Sequence, residues 1–218
     1  VDDTILITNA AKRLQMIATT MFGNHLTRQL FPGAPELMQA LQQGPSSHSE
    51  KNPIHYVTSS PFNLHSLLRL IFKENKVPTG PFFMTDWGID AEKWFKISQR
   101  DHKLTSLEEA MRWHPDKPVI LIGDSGEEDT AIYVEAALKH PRAIDLILIR
   151  HVTSRHHFDD LKAEVTKLEE TDTRFAFFRD STEAALVLHE RGWISSEQLA
   201  AVTRAVESAP KPHPFSHA

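Results

Sequence analysis

Four short stretches of this 218-residue chain bring together groups able to do chemistry. "VDDTILIT" sets Asp2 and Asp3 against an apolar run. "IHYVTSSP" leads from an apolar run into Thr58, Ser59 and Ser60. Their hydroxyls and backbone N–H groups are expected at a helix start, a setting that suits an anion such as phosphate; plain N-capping accounts for the same residues. "PVILIGDSGEED" is expected to end a strand at Gly123 and expose Asp124, followed by Glu127, Glu128 and Asp129. Clustered carboxylates repel unless a cation neutralises them. An oxygen-only set suits Mg²⁺, which keeps waters and takes one or two protein carboxylates. Asp124 is read as part of a site, and Glu127 and Glu128 as solvated residues favouring the dipole of the next helix. "RDHKLTS" is expected to hold Lys103 just ahead of a helix beginning at Thr105 or Ser106. A cation there opposes the helix dipole, so helix stability does not explain it; it is either a neutraliser of phosphate or carboxylates, or a solvated lysine.

Other candidates carry less. Lys96 in "EKWFKI" is explained by snorkelling beside aromatic residues. His151, His156 and His157 in "RHVTSRHH" are read as a polar loop. No HExxH, P-loop or GxGxxG spacing occurs. The chain carries no cysteine, which excludes disulfides and thiolate metal sites and fits a reducing compartment. A net charge of −5 speaks against a nucleic-acid binder. No apolar run approaches the length of a bilayer span.

The elements that must position these groups alternate. Strands are expected at "TILIT", "IHYV", "GPFFMTDWG", "PVILI", "AIDLILI" and "RFAFF". Helices are expected at "AKRLQMIATTMF", "ELMQALQQ", "NLHSLLRLIFKEN", "LTSLEEAMRW", "DTAIYVEAALKH", "DDLKAEVTKLEE", "STEAALVLHERG" and "SSEQLAAVTRAVE", the last opened by a capping box at Ser195 or Ser196. Strands such as "VILI" and "DLILI" are apolar throughout, the pattern of a parallel sheet covered on both faces. The expected fold is an α/β, doubly wound, mostly parallel sheet, with ligands at the carboxyl ends of its strands.

Taken together, "VDDTI", "YVTSSPFNL", "HK" and "LIGDSGEEDTAIY" resemble the four strand-end motifs of the haloacid-dehalogenase-like (HAD-like) superfamily. The wording is closest to the actin-patch phosphatidate phosphatases, whose motifs read DIDDTI, YVSSSPWNL, HK and GDSGQxDxEIY, followed by a strand ending in "IR" (here "LIR"). The resemblance runs from Val1 to about Val152. It implies a Rossmann-like HAD domain over residues 1–208, with a helical insertion at about 10–45 and a loose tail at 209–218. It further implies a Mg²⁺-dependent phosphomonoesterase acting through a phospho-aspartate. Asp2 would be the general acid and base and, with Asp124 and Asp129, a metal ligand. Thr58, Ser59 and Lys103 would bind the phosphoryl group, and Arg150 would stand at the edge of the site. The nucleophilic aspartate is expected immediately before Val1, so the N-terminal part of the domain is expected to extend beyond the chain given.

The substrate is not written in those motifs. Leu14, Ile17, Ala18, Met21 and Phe22, with Lys12, Arg13 and Arg28 nearby, could form a lid or interfacial helix against diacylglycerol chains. An ordinary helix packed on its own domain accounts for them equally. The resemblance implies phosphatidate, met at a membrane surface by a cytoplasmic, peripheral protein. The alternatives are a soluble phosphomonoester and a catalytically silent module holding metal or an anionic lipid headgroup.

Overall fold

The computed structural model describes residues 30–46, 50–85, 95–125, 128–151 and 155–210. The strand expected at "TILIT", the helix at "AKRLQMIATTMF", Asp2, Glu127 and the tail from 211 lie outside the described residues. In chain order the elements are α1 (Ala34–Gln43), β1 (Tyr56–Pro61), a 3₁₀ turn (Phe62–Leu64), α2 (His65–Glu74), β2 (Phe82–Thr85), α3 (Phe95–Trp113) and β3 (Val119–Asp124). Then follow α4 (Asp129–Lys139), β4 (Ile144–Arg150), α5 (Arg155–Thr166), β5 (Arg174–Phe178), α6 (Ser181–Glu190) and α7 (Ser196–Ser208).

All strand pairs among the described residues are parallel. They form two sheets, β1–β2 and β3–β4–β5, where one sheet was expected. β4 is the centre of the larger sheet. Leu146 and Leu148 point to one face and pack with α1, α6 and α7; Ile147 and Ile149 point to the other and pack with α3 and α4. All four are fully buried, each removing apolar surface worth about 2 kcal/mol from water. Helices on both faces explain why "DLILI" is apolar without alternation. The smaller sheet has its own core, in which Tyr56, Phe72 and Phe82 stand with ring centroids 4.8–5.3 Å apart.

Three expected boundaries move. β1 does not stop at Val57 but runs through Thr58, Ser59 and Ser60 to Pro61, and α2 begins only at His65. The cause is β2, whose pairing continues past Val57: Val57 faces Phe83 and Pro61 faces Thr85, with a register shift between. Lys103 lies in the interior of α3, not ahead of a helix. Nothing from Phe95 to Trp113 is glycine or proline, so Thr105 and Ser106 continue a helix instead of starting one. His156 and His157 fall in the first turn of α5, not in a loop.

The far end of the domain follows expectation. Gly192, at φ +73°, closes α6 in the left-handed conformation that glycine adopts without penalty. α7 opens with a complete capping box: the Gln198 N–H donates to Ser195 Oγ at 3.2 Å, and the Ser195 N–H donates to Gln198 Oε1 at 2.7 Å. Gln198 Nε2 also donates to the Gly44 carbonyl at 2.9 Å, tying α7 to the end of α1. Ser195→Ala should therefore cost about 1 kcal/mol, read as a lower urea midpoint at an unchanged denaturant slope.

Candidate active site

The carboxyl end of β3 organises the site. Asp124, its last residue, is buried rather than exposed as expected. Two backbone bonds hold the chain there: Ser125 N–H donates to the Arg150 carbonyl at 2.9 Å, and Asp124 N–H donates to Asp129 Oδ2 at 3.3 Å. Asp129 opens α4 and lies flat against Gly123. A methyl group at that glycine would stand 2.5 Å from Asp129 Oδ2 and 2.8 Å from the Tyr133 ring, so the close approach requires glycine. The other oxygen, Asp129 Oδ1, accepts from Lys103 Nζ at 2.6 Å, and both side chains are about nine-tenths buried.

Lys103 is delivered from the neighbouring helix. α3 packs on β1 and on α4. Leu104 and Leu107 face Ile132, Tyr133 and Ala136 in the shared core. Arg100, one turn before Lys103, pairs with Glu135, which also takes Lys139 at 2.9 Å. Lys139, with Arg100 adding, holds the Glu135 carboxyl below its ordinary range. Tyr133, one turn after Asp129, donates its hydroxyl to the Ile122 carbonyl at 3.2 Å, fixing α4 to β3.

The β1 residues approach from the other sheet. Thr58 is buried, and its Oγ1 accepts from the Ser60 N–H at 3.1 Å, the local turn that accompanies the register shift. The expected helix cap is thus replaced by a cap within the strand. The Ser59 carbonyl accepts from Thr85 Oγ1 at 2.8 Å, and its buried Oγ has no hydrogen-bond partner among the described residues. One cavity of about 330 Å³ runs along β1 and β3. Thr58, Ser59, Lys103, Asp129 and Tyr133 all line it.

The structure thus brings Thr58, Ser59, Lys103 and Asp129 to one cavity wall, with Asp124 beside Asp129 on the backbone. Arg150 is the register partner of Asp124 across β3 and β4, and its guanidinium carbon sits 3.5 Å from the centre of the Phe31 ring. Sequence reading missed Phe31, Tyr133 and the necessity of Gly123. Only Tyr133 left a usable signal, its spacing of four from Asp129.

The donor set bears on a cation. Asp124 and Asp129 offer oxygen alone, which fits Mg²⁺. Both Asp129 oxygens are already engaged, by Lys103 and by the Asp124 N–H, and each keeps a second lone-pair site. That suits contact with a cation through water better than direct ligation. Among the described residues no group of three or more His, Asp or Glu gathers closely enough to hold a metal.

The opposite end of the cavity has a different character. His55 and His114 stand with Nε2 atoms 3.0 Å apart, and His55 Nδ1 is buried without a partner among the described residues. Burial, then the neighbouring His114, pushes the His55 imidazole below its ordinary 6.5. The unfolded chain therefore binds a proton at His55 that the folded chain resists. Stability from this site is complete above about pH 6.5 and is lost as pH falls toward the depressed folded value. His55→Gln should flatten the acid side of a plot of melting temperature against pH.

The Lys103–Asp129 pair gives a second expectation. Lys103→Met strands a buried carboxylate and should cost about 3–5 kcal/mol in chemical denaturation. Lys103→Met combined with Asp129→Leu removes both charges and should recover much of that loss.

Comparison with known proteins agrees with the motifs. The family model "Phosphatidate phosphatase APP1, catalytic domain" matches residues 1–151. The chain is 29% identical over 124 residues to the phosphatidate phosphatase APP1 of Saccharomyces cerevisiae, covering 55% of this chain and 21% of that protein. It is 26% identical over 155 residues to an uncharacterized protein of Schizosaccharomyces pombe, covering 71% of this chain and 24% of that one. The chain thus spans only a fifth to a quarter of the length of these curated relatives. No solved structure matches. With four motifs in order and a family match over residues 1–151, the chain belongs to the family of the APP1 phosphatidate phosphatase catalytic domain.

Proposed function

We propose that this chain is the catalytic part of a phosphatase that removes phosphate from phosphatidate, leaving diacylglycerol. One observation carries the reading: in a chain of this family, the buried Lys103–Asp129 pair shares one cavity wall with Thr58 and Ser59. A cation and two hydroxyl-bearing residues meeting beside carboxylates make a receptor for an oxyanion, not for an apolar ligand.

The proposed chemistry has two displacements. A carboxylate at the position immediately before Val1 attacks phosphorus, and the phosphorus–oxygen bond to the glycerol oxygen breaks. Asp2, as the acid, gives its proton to that leaving oxygen. Water then attacks the acyl phosphate and Asp2 takes its proton; the aspartyl–phosphate bond breaks and inorganic phosphate leaves. Lys103, anchored on Asp129, brings positive charge to the phosphoryl oxygens. Thr58, and Ser59 through an Oγ with no partner among the described residues, donate to the same oxygens. Asp124 would hold Mg²⁺ together with Asp2, and Asp129 would reach it through water. When bound, that ion supplies positive charge to the phosphoryl oxygens.

We assign the HAD-like form of the α/β fold, a single domain over residues 1–208 with its insertion at about 10–45. The parallel pairing of every strand pair among the described residues supports it. Among the described residues no helix is long and apolar enough to cross a membrane, so access to a lipid would be peripheral.

The test is phosphate release by the full-length protein from phosphatidate and from p-nitrophenyl phosphate, with Mg²⁺ and with chelator. Asp2→Asn and Asp124→Asn should each lower release by about a hundredfold or more. Full activity in Asp124→Asn would remove the metal assignment. Release from p-nitrophenyl phosphate alone would shift the substrate to a soluble phosphomonoester. Release from neither would favour a silent binding module.

A further inference from the structure

The 3₁₀ turn that follows β1 carries the most exposed large apolar side chain among the described residues. Phe62 is 65% exposed, and its ring lies parallel to that of His65 at 5.5 Å, so a neighbour holds it in place although it packs into no core. From there α2 presents Ser66, Arg69, Leu70 and Lys73 outward; its opposite side buries Leu68, Ile71 and Phe72. At 100° per residue, Ser66, Arg69, Leu70 and Lys73 fall within about 100° of helix circumference. Leu70 is 40% exposed. Neither Arg69 nor Lys73 forms an ion pair among the described residues. Glu74, also exposed, lies at the edge of that face, about 40° from Leu70 and about 100° from Lys73. Lys76 follows, also exposed.

We propose that Phe62 and the outward face of α2, namely Arg69, Leu70 and Lys73, form the surface that this chain lays against an anionic lipid bilayer. Charge complementarity selects that occupant: a chain of net charge −5 sets two cations, unpaired among the described residues, on one outward helix face with a single acid, Glu74, at its edge. Between and beside them it sets a leucine and a phenylalanine, the pairing that rests in a headgroup layer. Position supports the same occupant. Phe62 follows directly on Pro61, the last residue of β1, so seating it in the headgroups carries Thr58 and Ser59 toward the lipid. An aromatic ring with two rotatable bonds and a stacked neighbour loses little entropy on insertion. The proposal rests on the phosphatidate reading for its purpose, but the binding it describes is independent of catalysis.

The experiment is co-sedimentation of the chain with vesicles of phosphatidylcholine, with and without phosphatidylserine. Phosphatidylserine is a phosphodiester, so binding to it does not report recognition of a phosphomonoester. The parent chain should bind only the anionic vesicles and should release as salt is raised. Arg69→Gln with Lys73→Gln should weaken binding by about tenfold or more, at about fivefold per charge. Phe62→Ser should weaken it at every salt concentration. Circular dichroism melting checks that each variant is folded. Phe62→Trp, which keeps an aromatic ring, supplies a second reading: with the parent spectrum subtracted, its emission should shift to the blue on anionic vesicles. Absence of binding by the parent, charge or serine variants that bind like the parent, or an emission from Phe62→Trp indifferent to lipid each overturn the proposal; a docking site for a protein partner would give the first result. Hydrolysis of short-chain, monomeric phosphatidate, measured with the full-length protein and its variants, separates the two readings. If it is absent while vesicle binding is intact, the catalytic assignment falls and the surface stands. If it is intact in variants that still bind vesicles normally, the surface falls alone.

Discussion

Lys103 and Asp129 meet at 2.6 Å in a setting nearly closed to water, and the rest of the site is ordered around that contact. Each is expensive to bury alone, and each makes the burial of the other tolerable. The pair joins the middle of α3 to the first residue of α4, and so fixes α4 against the end of β3. Gly123 gives up its side chain to let Asp129 lie there, and Asp124 turns its N–H to the same carboxylate. A well-packed apolar pair would hold two helices at least as firmly. Stability alone therefore does not explain a buried charge pair at the end of a parallel strand.

The two sides of the site differ in how they are built. Lys103 and Asp129 stand on long helices whose cores are shared, so their separation is set by Leu104, Leu107, Ile132 and Ala136. Thr58 and Ser59 stand on a strand with a local register shift. Such a shift twists a strand and re-aims its side chains. Here it also leaves Ser59 Oγ buried and without a partner among the described residues.

How much of this was legible in the sequence depends on where the deciding forces act. β3, β4 and β5 were legible because their apolar runs are dictated by burial on both faces. The capping box at Ser195 was legible because its four residues interact with one another. The start of α2 was not: "TSSP" has the composition of a helix cap, and only pairing with β2, more than twenty residues away, keeps it extended. Lys103 stood out for a reason that the structure removes. Its argument was a cation at a helix N-terminus; its actual place is a helix interior, where its partner comes from another element. Thr105 and Ser106 carried the misleading signal, and the absence of any breaker before them was the better guide. The burial of Asp124 and the stacking of Arg150 on Phe31 are tertiary facts with no local trace.

The same distinction bears on what a phosphoryl group would meet. A lysine on a loop would have to be ordered at each encounter, at an entropic cost comparable to the contact it makes. A lysine inside a 19-residue helix, already bonded to Asp129, has met that cost during folding. Its charge is then held by a rigid frame and needs no reorganisation when negative charge arrives. Asp129 thereby does two jobs that are hard to separate by mutation: it neutralises Lys103, and it fixes where the Lys103 ammonium lies. The short wording "HK" conveys none of this, because the residue that makes the lysine useful lies twenty-six positions further along the chain.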